Sequence, residues 1–203
     1  MSKTSVFKSE QGRTAIIEWY DAQVQKLPVQ VESKTVGTSA GQTHVLMAGS
    51  QDAQPVVVLH GNNMNATTMG DVISALADTY RIYALDIIGM PGKSAEIRLP
   101  HTDRSYAQWL LEALDRLDVQ QAVFLGFSFG GWIILNLAAL APARITKAVF
   151  LDSGGFTQFT MKSKVKGGLA AMLYMWFPGK RTLKLAVDDI FYGRGCEPDP
   201  DLV

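Results

Sequence analysis

The hydrophobic residues of this chain follow two spacings that alternate along the sequence as far as residue 152. Short apolar runs predict buried strands, and longer stretches with an apolar residue at every third or fourth position predict helices. The predicted elements are a hairpin over 31–47, strands over 55–60, 81–86, 122–126 and 147–152, and helices over 13–25, 67–80, 106–117 and 130–140. This alternation indicates an α/β fold with a doubly wound, mostly parallel sheet.

The pattern changes after Gly155. Residues 157–193 show no clear strand, but they contain an apolar cluster made of Leu169, Met172, Leu173, Met175, Trp176 and Phe177. Such a cluster is more typical of the packing face of a helix than of a pocket for a hydrophobic substrate. We therefore expect two regions, a core over 1–155 and an incomplete helical cap over 156–203.

Composition excludes several classes of protein. Of the 203 residues, 47% are hydrophobic and 19% are charged, which is typical of a globular chain. The 19 basic and 19 acidic residues cancel, which argues against nucleic acid or an anionic membrane as a partner. The polar first ten residues do not resemble a secretory signal, the apolar run 167–177 is too short to span a bilayer, and Cys196 has no partner for a disulfide. We expect a cytoplasmic protein without a membrane span, and its oligomeric state stays open.

The segment 126–131 reads G-x-S-x-G-G and lies directly between a predicted strand and a predicted helix. A serine in this context sits on a tight strand-to-helix turn that presents its hydroxyl at the end of the sheet. Glycines are needed there because the turn is crowded and the backbone of the serine is strained. Ser128 is therefore the predicted nucleophile. The alternative is a tight turn that contains a serine by chance.

Acyl transfer also needs N–H donors for the negative charge that develops on the carbonyl oxygen. One predicted donor is the backbone N–H of Phe129, at the positive end of the helix that follows Ser128. The other is the backbone N–H of Asn62, in the loop after His60 and Gly61. We expect the side chain of His60 to tie down this loop rather than to act as a base.

Two other motifs are excluded as cofactor sites. Gly92-Lys93-Ser94 resembles the end of a phosphate-binding loop, but Ile87 occupies the position of the required first glycine. Ser128 replaces the middle glycine of a dinucleotide fingerprint. The chain has neither His-Glu-x-x-His nor clustered cysteines. We predict no organic cofactor and no metal.

Three motifs resemble those of the α/β-hydrolase superfamily, in particular its bacterial carboxylesterase-like members of the hydrolase-1 type. They are His60-Gly61-Asn62, the segment 86–94, and the serine motif 126–131. The resemblance covers residues 30–160 best. It implies a small-molecule ester or related acyl substrate and a cap that follows the strand around Phe150. Serine rather than aspartate at position 128 argues against dehalogenase or epoxide hydrolase chemistry.

The family order of catalytic residues is serine, then acid, then histidine, whereas His44, His60 and His101 all precede Ser128. The resemblance implies two further strands, an acid and a histidine after the cap, and the sequence ends before them. We therefore expect the edge of the strand over 148–151 to be apolar and unpaired.

Two residues of this chain are candidates to replace the missing pair. Asp152 ends a predicted strand, where a minority of the family keeps its acid, although a loop-capping role is favoured. For His101, a place in a turn that leads into a helix cap is favoured over a role as base.

The leading hypothesis is a serine hydrolase of carboxylic esters or related acyl compounds. The alternative from another class is a non-catalytic binding protein with the hydrolase fold, or an inactive truncated product. A third hypothesis keeps Ser128 as nucleophile but assigns perhydrolysis or C–C bond hydrolysis.

Overall fold

The computed structural model describes residues 5–155 and, further along, residues 173, 176–177, 179, 181–182 and 184–185. The chain divides into two compact units, Met1–Phe156 and Thr157–Val203. The described helices are α1 (Glu10–Lys26), α2 (Gly70–Leu76), α3 (Ser105–Arg116) and α4 (Phe129–Leu140), with short 3-10 turns at Ala66–Met69 and Pro142–Arg144. The described strands are β1 (Val31–Thr38), β2 (Gly41–Ala48), β3 (Pro55–Leu59), β4 (Arg81–Leu85), β5 (Ala122–Phe127) and β6 (Ile145–Leu151).

The six strands form one mixed sheet in the order β1-β2-β4-β3-β5-β6. The predicted hairpin pairs β1 with β2, and β2 pairs antiparallel with β4. The strands β4, β3, β5 and β6 run parallel to one another. Their carboxyl ends therefore meet at one edge of the sheet, where open α/β folds bind ligands.

Both faces of the sheet are covered, as predicted. Alternate residues of a strand point to opposite faces. In β3, Val57 and Leu59 pack in one apolar cluster with α3 and α4, whereas Val56 and Val58 pack in a second cluster with residues of α1 and α2. Strand β3 is apolar throughout because neither of its faces meets water.

The predicted helix over 67–80 is shorter in the structure. It begins with the 3-10 turn after Asn65, whose side chain accepts a hydrogen bond from the N–H of Thr67. Helix α2 ends at Leu76. The chain after the helix packs closely on Gly49, where a Cβ would lie 2.0 Å from the carbonyl oxygen of Tyr80.

Strand β6 is the last strand on its side of the sheet among the described residues. Val149 is 44% exposed and Leu151 is 38% exposed. The prediction of an apolar edge strand is thus confirmed for these two side chains. Exposed apolar edges favour association with other strands.

Most of the predicted cap, 156–203, lies outside the described residues, and its assignment stays a prediction. Three members of its apolar cluster are described, and Leu173, Trp176 and Phe177 are all exposed. No described helix combines the length and the apolar run that crossing a membrane requires.

The buried carboxylate of Asp86, just after β4, joins three segments of the first unit. It accepts hydrogen bonds from the N–H of Ala66 at 2.7 Å, from the N–H of Lys93 at 3.0 Å and from Nδ1 of His44 at 3.0 Å. Burial is the largest influence on the pKa of Asp86 and by itself would raise it. The hydrogen bonds from His44 and Ala66 outweigh burial and hold this pKa below its ordinary value.

The segment that resembles a phosphate-binding loop serves this carboxylate instead. The hydroxyl of Ser94 donates to the carbonyl oxygen of Asp86 at 2.6 Å and accepts from the N–H of His44 at 2.9 Å. A Cβ on Gly92 would lie 2.7 Å from the carboxyl carbon of Asp86. The N–H of Lys93 and the hydroxyl of Ser94 therefore have their acceptors within the protein.

Replacing Gly92 with alanine is expected to lower the free energy of unfolding by about 2–3 kcal/mol, because the new methyl group overlaps the buried carboxylate. Urea denaturation measures the loss. The matched control is Gly37→Ala, whose Cβ would meet its nearest neighbour at 3.8 Å; we expect it to change stability by less than about 1 kcal/mol. Equal effects of the two substitutions would contradict this account of the loop.

Candidate active site

Ser128 occupies the junction between β5 and α4. Its φ of 48° and ψ of −106° lie outside the regions that residues with a Cβ ordinarily adopt. Its N–H donates to the carbonyl oxygen of Leu151 at 3.0 Å, and its own carbonyl oxygen accepts from the N–H of Gly154 at 3.1 Å. The strained turn is therefore held by β6 and by the segment that follows β6.

The glycines of the serine motif are required by close packing. A Cβ on Gly130 would lie 2.4 Å from the carbonyl oxygen of Leu59. A Cβ on Gly126 would lie 2.5 Å from the backbone nitrogen of Gly131. These distances are shorter than any van der Waals contact, so the helix can start this close to β3 and β5 only without side chains at these positions.

The loop after β3 is tied to the first turn of α4, since the N–H of Gly130 donates to the carbonyl oxygen of His60 at 3.1 Å. Within this loop, the N–H of Met64 donates to the carbonyl oxygen of Gly61 at 3.3 Å. Asn63 has a φ of 56°. A positive φ at the third of four residues is typical of a type II turn, which places Asn62 at its second position.

The backbone N–H groups of Asn62 and Phe129 have no acceptor in the described part of the chain. They are the two donors that the sequence predicted. Phe129 is the first residue of α4, where the helix dipole is positive. The Oγ of Ser128 likewise makes no hydrogen bond within the described residues.

His60 is fully buried, and both of its ring nitrogens are bonded to backbone. Nδ1 lies 2.8 Å from the carbonyl oxygen of Gly61, and Nε2 lies 2.9 Å from the nitrogen of Ile87. Because Nε2 faces an N–H donor, we assign the proton to Nδ1. Burial lowers the pKa of His60 and keeps the ring neutral. The prediction that His60 ties down its loop is confirmed.

His101 lies in the turn before α3, as predicted. Its exposed ring stacks on Tyr106, with centroids 5.4 Å apart, and meets the ring of Phe129 edge-on at 5.3 Å. The carboxylate of Asp103 accepts from the N–H of Ser105, the first residue of α3, at 2.9 Å. His101 makes no hydrogen bond to Ser128 within the described residues.

Asp152 directly follows β6. The residue before it, Leu151, accepts a hydrogen bond from the N–H of Ser128 through its carbonyl oxygen. Asp152 is exposed and has a φ of 43°. Among the described residues its carboxylate makes no hydrogen bond, neither to the loop nor to a histidine. Its assignment as a possible acid stays a prediction.

No role was predicted for His44 from the sequence. It is a buried histidine on β2, bonded to Asp86 through Nδ1 and to Ser33 through Nε2, which lies 2.6 Å from the Oγ of Ser33. One signal was present in the sequence, because His44 directly precedes the apolar run 45–48 of its strand. No group of three or more His, Cys, Asp or Glu side chains suited to a metal occurs among the described residues.

Comparison with known proteins decides the family. Residues 54–184, more than half of the chain, match the family described as the alpha/beta hydrolase fold. The chain belongs to the α/β-hydrolase fold family. The fold class and the resemblance inferred from the three motifs are confirmed.

Among curated relatives of this chain, the uncharacterized carboxylesterase nap of Bacillus subtilis (strain 168) is 36% identical over 133 residues, which are 66% of this chain and 44% of nap. Carboxylesterase YbfK of the same organism is 33% identical over 133 residues, 66% of this chain and 45% of YbfK. The chain thus spans less than half the length of these two relatives.

Solved structures of carboxylesterases superpose on this chain. Carboxylesterase CesB (YbfK) from Bacillus subtilis superposes with a TM-score of 0.77 at 27% identity, covering 93% of this chain and 64% of the other. Naproxen esterase (carboxylesterase NP) from the same species gives a TM-score of 0.69 at 26% identity, covering 93% of this chain and 70% of the other.

The buried neutral His60 makes stability depend on pH. Its pKa in the folded protein is below the ordinary value of 6.5. As the pH falls below 6.5, the unfolded chain binds a proton that the folded protein does not. The free energy of unfolding should therefore fall, with this residue contributing up to about 1.4 kcal/mol per pH unit.

Urea denaturation of the wild type and of His60→Gln between about pH 7.5 and 5.5 measures this contribution. The slope should be smaller in His60→Gln than in the wild type. A slope in His60→Gln as steep as that of the wild type would refute the assignment.

Proposed function

We propose that this protein is a serine hydrolase of carboxylic esters or related acyl compounds, with Ser128 as its nucleophile. The observation that carries the proposal is the backbone of Ser128, held at a φ of 48° at the carboxyl edge of the sheet. Strain of this kind persists where the surrounding structure enforces it and is concentrated at functional sites. The carboxylesterase names of nap and YbfK support the substrate class.

In the proposed reaction, the Oγ of Ser128 attacks the carbonyl carbon of the ester. The negative charge moves to the carbonyl oxygen, which accepts hydrogen bonds from the N–H groups of Phe129 and Asn62. Each such donor contributes about 3–4 kcal/mol to the transition state. The proton of Ser128 passes through a base to the leaving alcohol, and water then hydrolyses the acyl-serine.

The base is proposed to lie outside the described residues. A serine hydroxyl is a poor nucleophile at neutral pH unless a base removes its proton. The three histidines of the chain are all described, and none bonds the Oγ of Ser128. Asp152, which follows β6, is the candidate acid that would orient such a base.

The lack of a histidine bonded to the Oγ of Ser128 among the described residues favours a second candidate, a hydrolase-fold protein that binds an acyl compound without turning it over. Neither candidate involves a metal or an organic cofactor. The proposed ligand of both is a small molecule, and nucleic acid is not proposed as a partner. A cytoplasmic location stays a prediction.

Ser128→Ala tests the nucleophile. With the full chain, a fluorophosphonate probe should label the peptide that contains Ser128, and hydrolysis of p-nitrophenyl butyrate should fall by at least about a thousandfold in the variant. Mass spectrometry locates the label, and absorbance follows hydrolysis. The matched control is Ser50→Ala, an exposed serine in a loop, which should leave both signals unchanged. An unlabelled Ser128 peptide in the wild type would favour the binding protein.

A pair of substitutions at Asn62 tests the backbone donor. Proline suits the second position of a type II turn but has no N–H, whereas alanine keeps the N–H. Asn62→Pro should lower kcat by about 100- to 1000-fold, and Asn62→Ala should leave kcat near that of the wild type. Steady-state kinetics on p-nitrophenyl butyrate measures kcat for both variants. Equal kcat values would remove the N–H of Asn62 from the proposed mechanism.

A further inference from the structure

We propose that Ser33, His44 and Asp86 form a second nucleophilic site, in which Ser33 reacts with activated acyl and phosphonyl compounds. The three residues come from β1, from β2 and from the loop after β4. None of them belongs to the Ser128 motif or to the loop of Asn62. The proposal is therefore independent of the function proposed for Ser128.

The distances fit a nucleophile, a base and an orienting acid. The Oγ of Ser33 lies 2.6 Å from Nε2 of His44, and Nδ1 of His44 lies 3.0 Å from the carboxylate of Asp86. This connectivity, in which a base contacts the nucleophile and is itself oriented by a third group, is the signature of an activated serine. Strand register produces it: His44 is paired with Thr35, so Ser33 and His44 are diagonal neighbours on one face of the hairpin.

The hydrogen bonds also fix the position of the proton on Nδ1 of His44, which leaves Nε2 to face Ser33. Asp86 accepts from the backbone N–H groups of Ala66 and Lys93, and its pKa is held below the ordinary value, so it is an ionised acceptor. Nδ1 of His44 must therefore carry the proton that is shared with Asp86. In the neutral ring, Nε2 then has a lone pair facing the hydroxyl of Ser33, as a general base requires.

Packing holds the imidazole in this orientation while Ser33 stays accessible. The ring of Tyr20 meets the ring of His44 edge-on, with centroids 5.7 Å apart. Burial raises the pKa of Tyr20, so its hydroxyl stays protonated beside the pair. His44 is buried, whereas Ser33 is an exposed residue of β1, the outermost strand on this side of the described sheet.

The proposed step balances without a further reactant. The Oγ of Ser33 forms a bond to the carbonyl carbon of an activated ester, and its proton moves to Nε2 of His44. The bond from that carbon to the leaving oxygen breaks, and the leaving group takes the proton from His44. Water hydrolyses the acyl group on Ser33 by the same route. With a fluorophosphonate, the bond forms to phosphorus, fluoride leaves, and the phosphonyl group remains on Ser33.

The test uses the full chain with Ser128→Ala, so that the first candidate nucleophile is absent. The protein is treated with a fluorophosphonate probe, and peptide mass spectrometry quantifies the label at Ser33 and at Ser50, an exposed loop serine in the same sample. A general base accelerates a reaction by about 100-fold or more. The probe should therefore label Ser33 at least about 100-fold faster than Ser50.

Two further variants in the Ser128→Ala background separate activation from exposure. His44→Gln should lower the labelling rate at Ser33 by at least tenfold. Thr35→Ala, which removes an exposed hydroxyl two residues along the same face of β1, should leave it unchanged. Circular dichroism reports whether His44→Gln is folded; if it is not, the comparison of Ser33 with Ser50 decides alone. Equal labelling of Ser33 and Ser50, or no effect of a folded His44→Gln, would overturn the proposal.

Discussion

The carboxyl edge of this sheet depends on one buried carboxylate. Asp86 accepts hydrogen bonds from β2 through His44, from the chain after β3 through Ala66, and from the loop after β4 through Lys93. A buried carboxylate without such donors would be strongly destabilising. The need to satisfy Asp86 therefore fixes where these three segments lie.

Asp86 also helps to position the loop that carries Asn62, which belongs to the candidate active site. The loop is held at its start, where His60 accepts from the N–H of Ile87, and at its end, where Ala66 donates to Asp86. Between these two points the turn leaves the N–H of Asn62 without a protein acceptor in the described residues. The proposed oxyanion donor is thus positioned by buried groups that do no chemistry at Ser128.

The strained turn at Ser128 depends on other contacts. Its backbone is bonded to the carbonyl oxygen of Leu151 and to the N–H of Gly154, both from the segment that ends or follows β6. Strand β6 is the outermost described strand on that side, and Val149 and Leu151 are partly exposed. The geometry of the proposed nucleophile therefore relies on a strand that is supported by the sheet from one side.

Much of this fold was determined by the sequence itself, because its signals are local. The apolar run of β3 requires burial on both faces, and the glycines around Ser128 are needed by a turn formed within six residues. The arrangement of Ser33, His44 and Asp86 was decided only by the tertiary structure. It depends on which residues of β1 and β2 lie diagonally opposite, and on β4 lying next to β2, and both are set by packing between residues far apart in the chain.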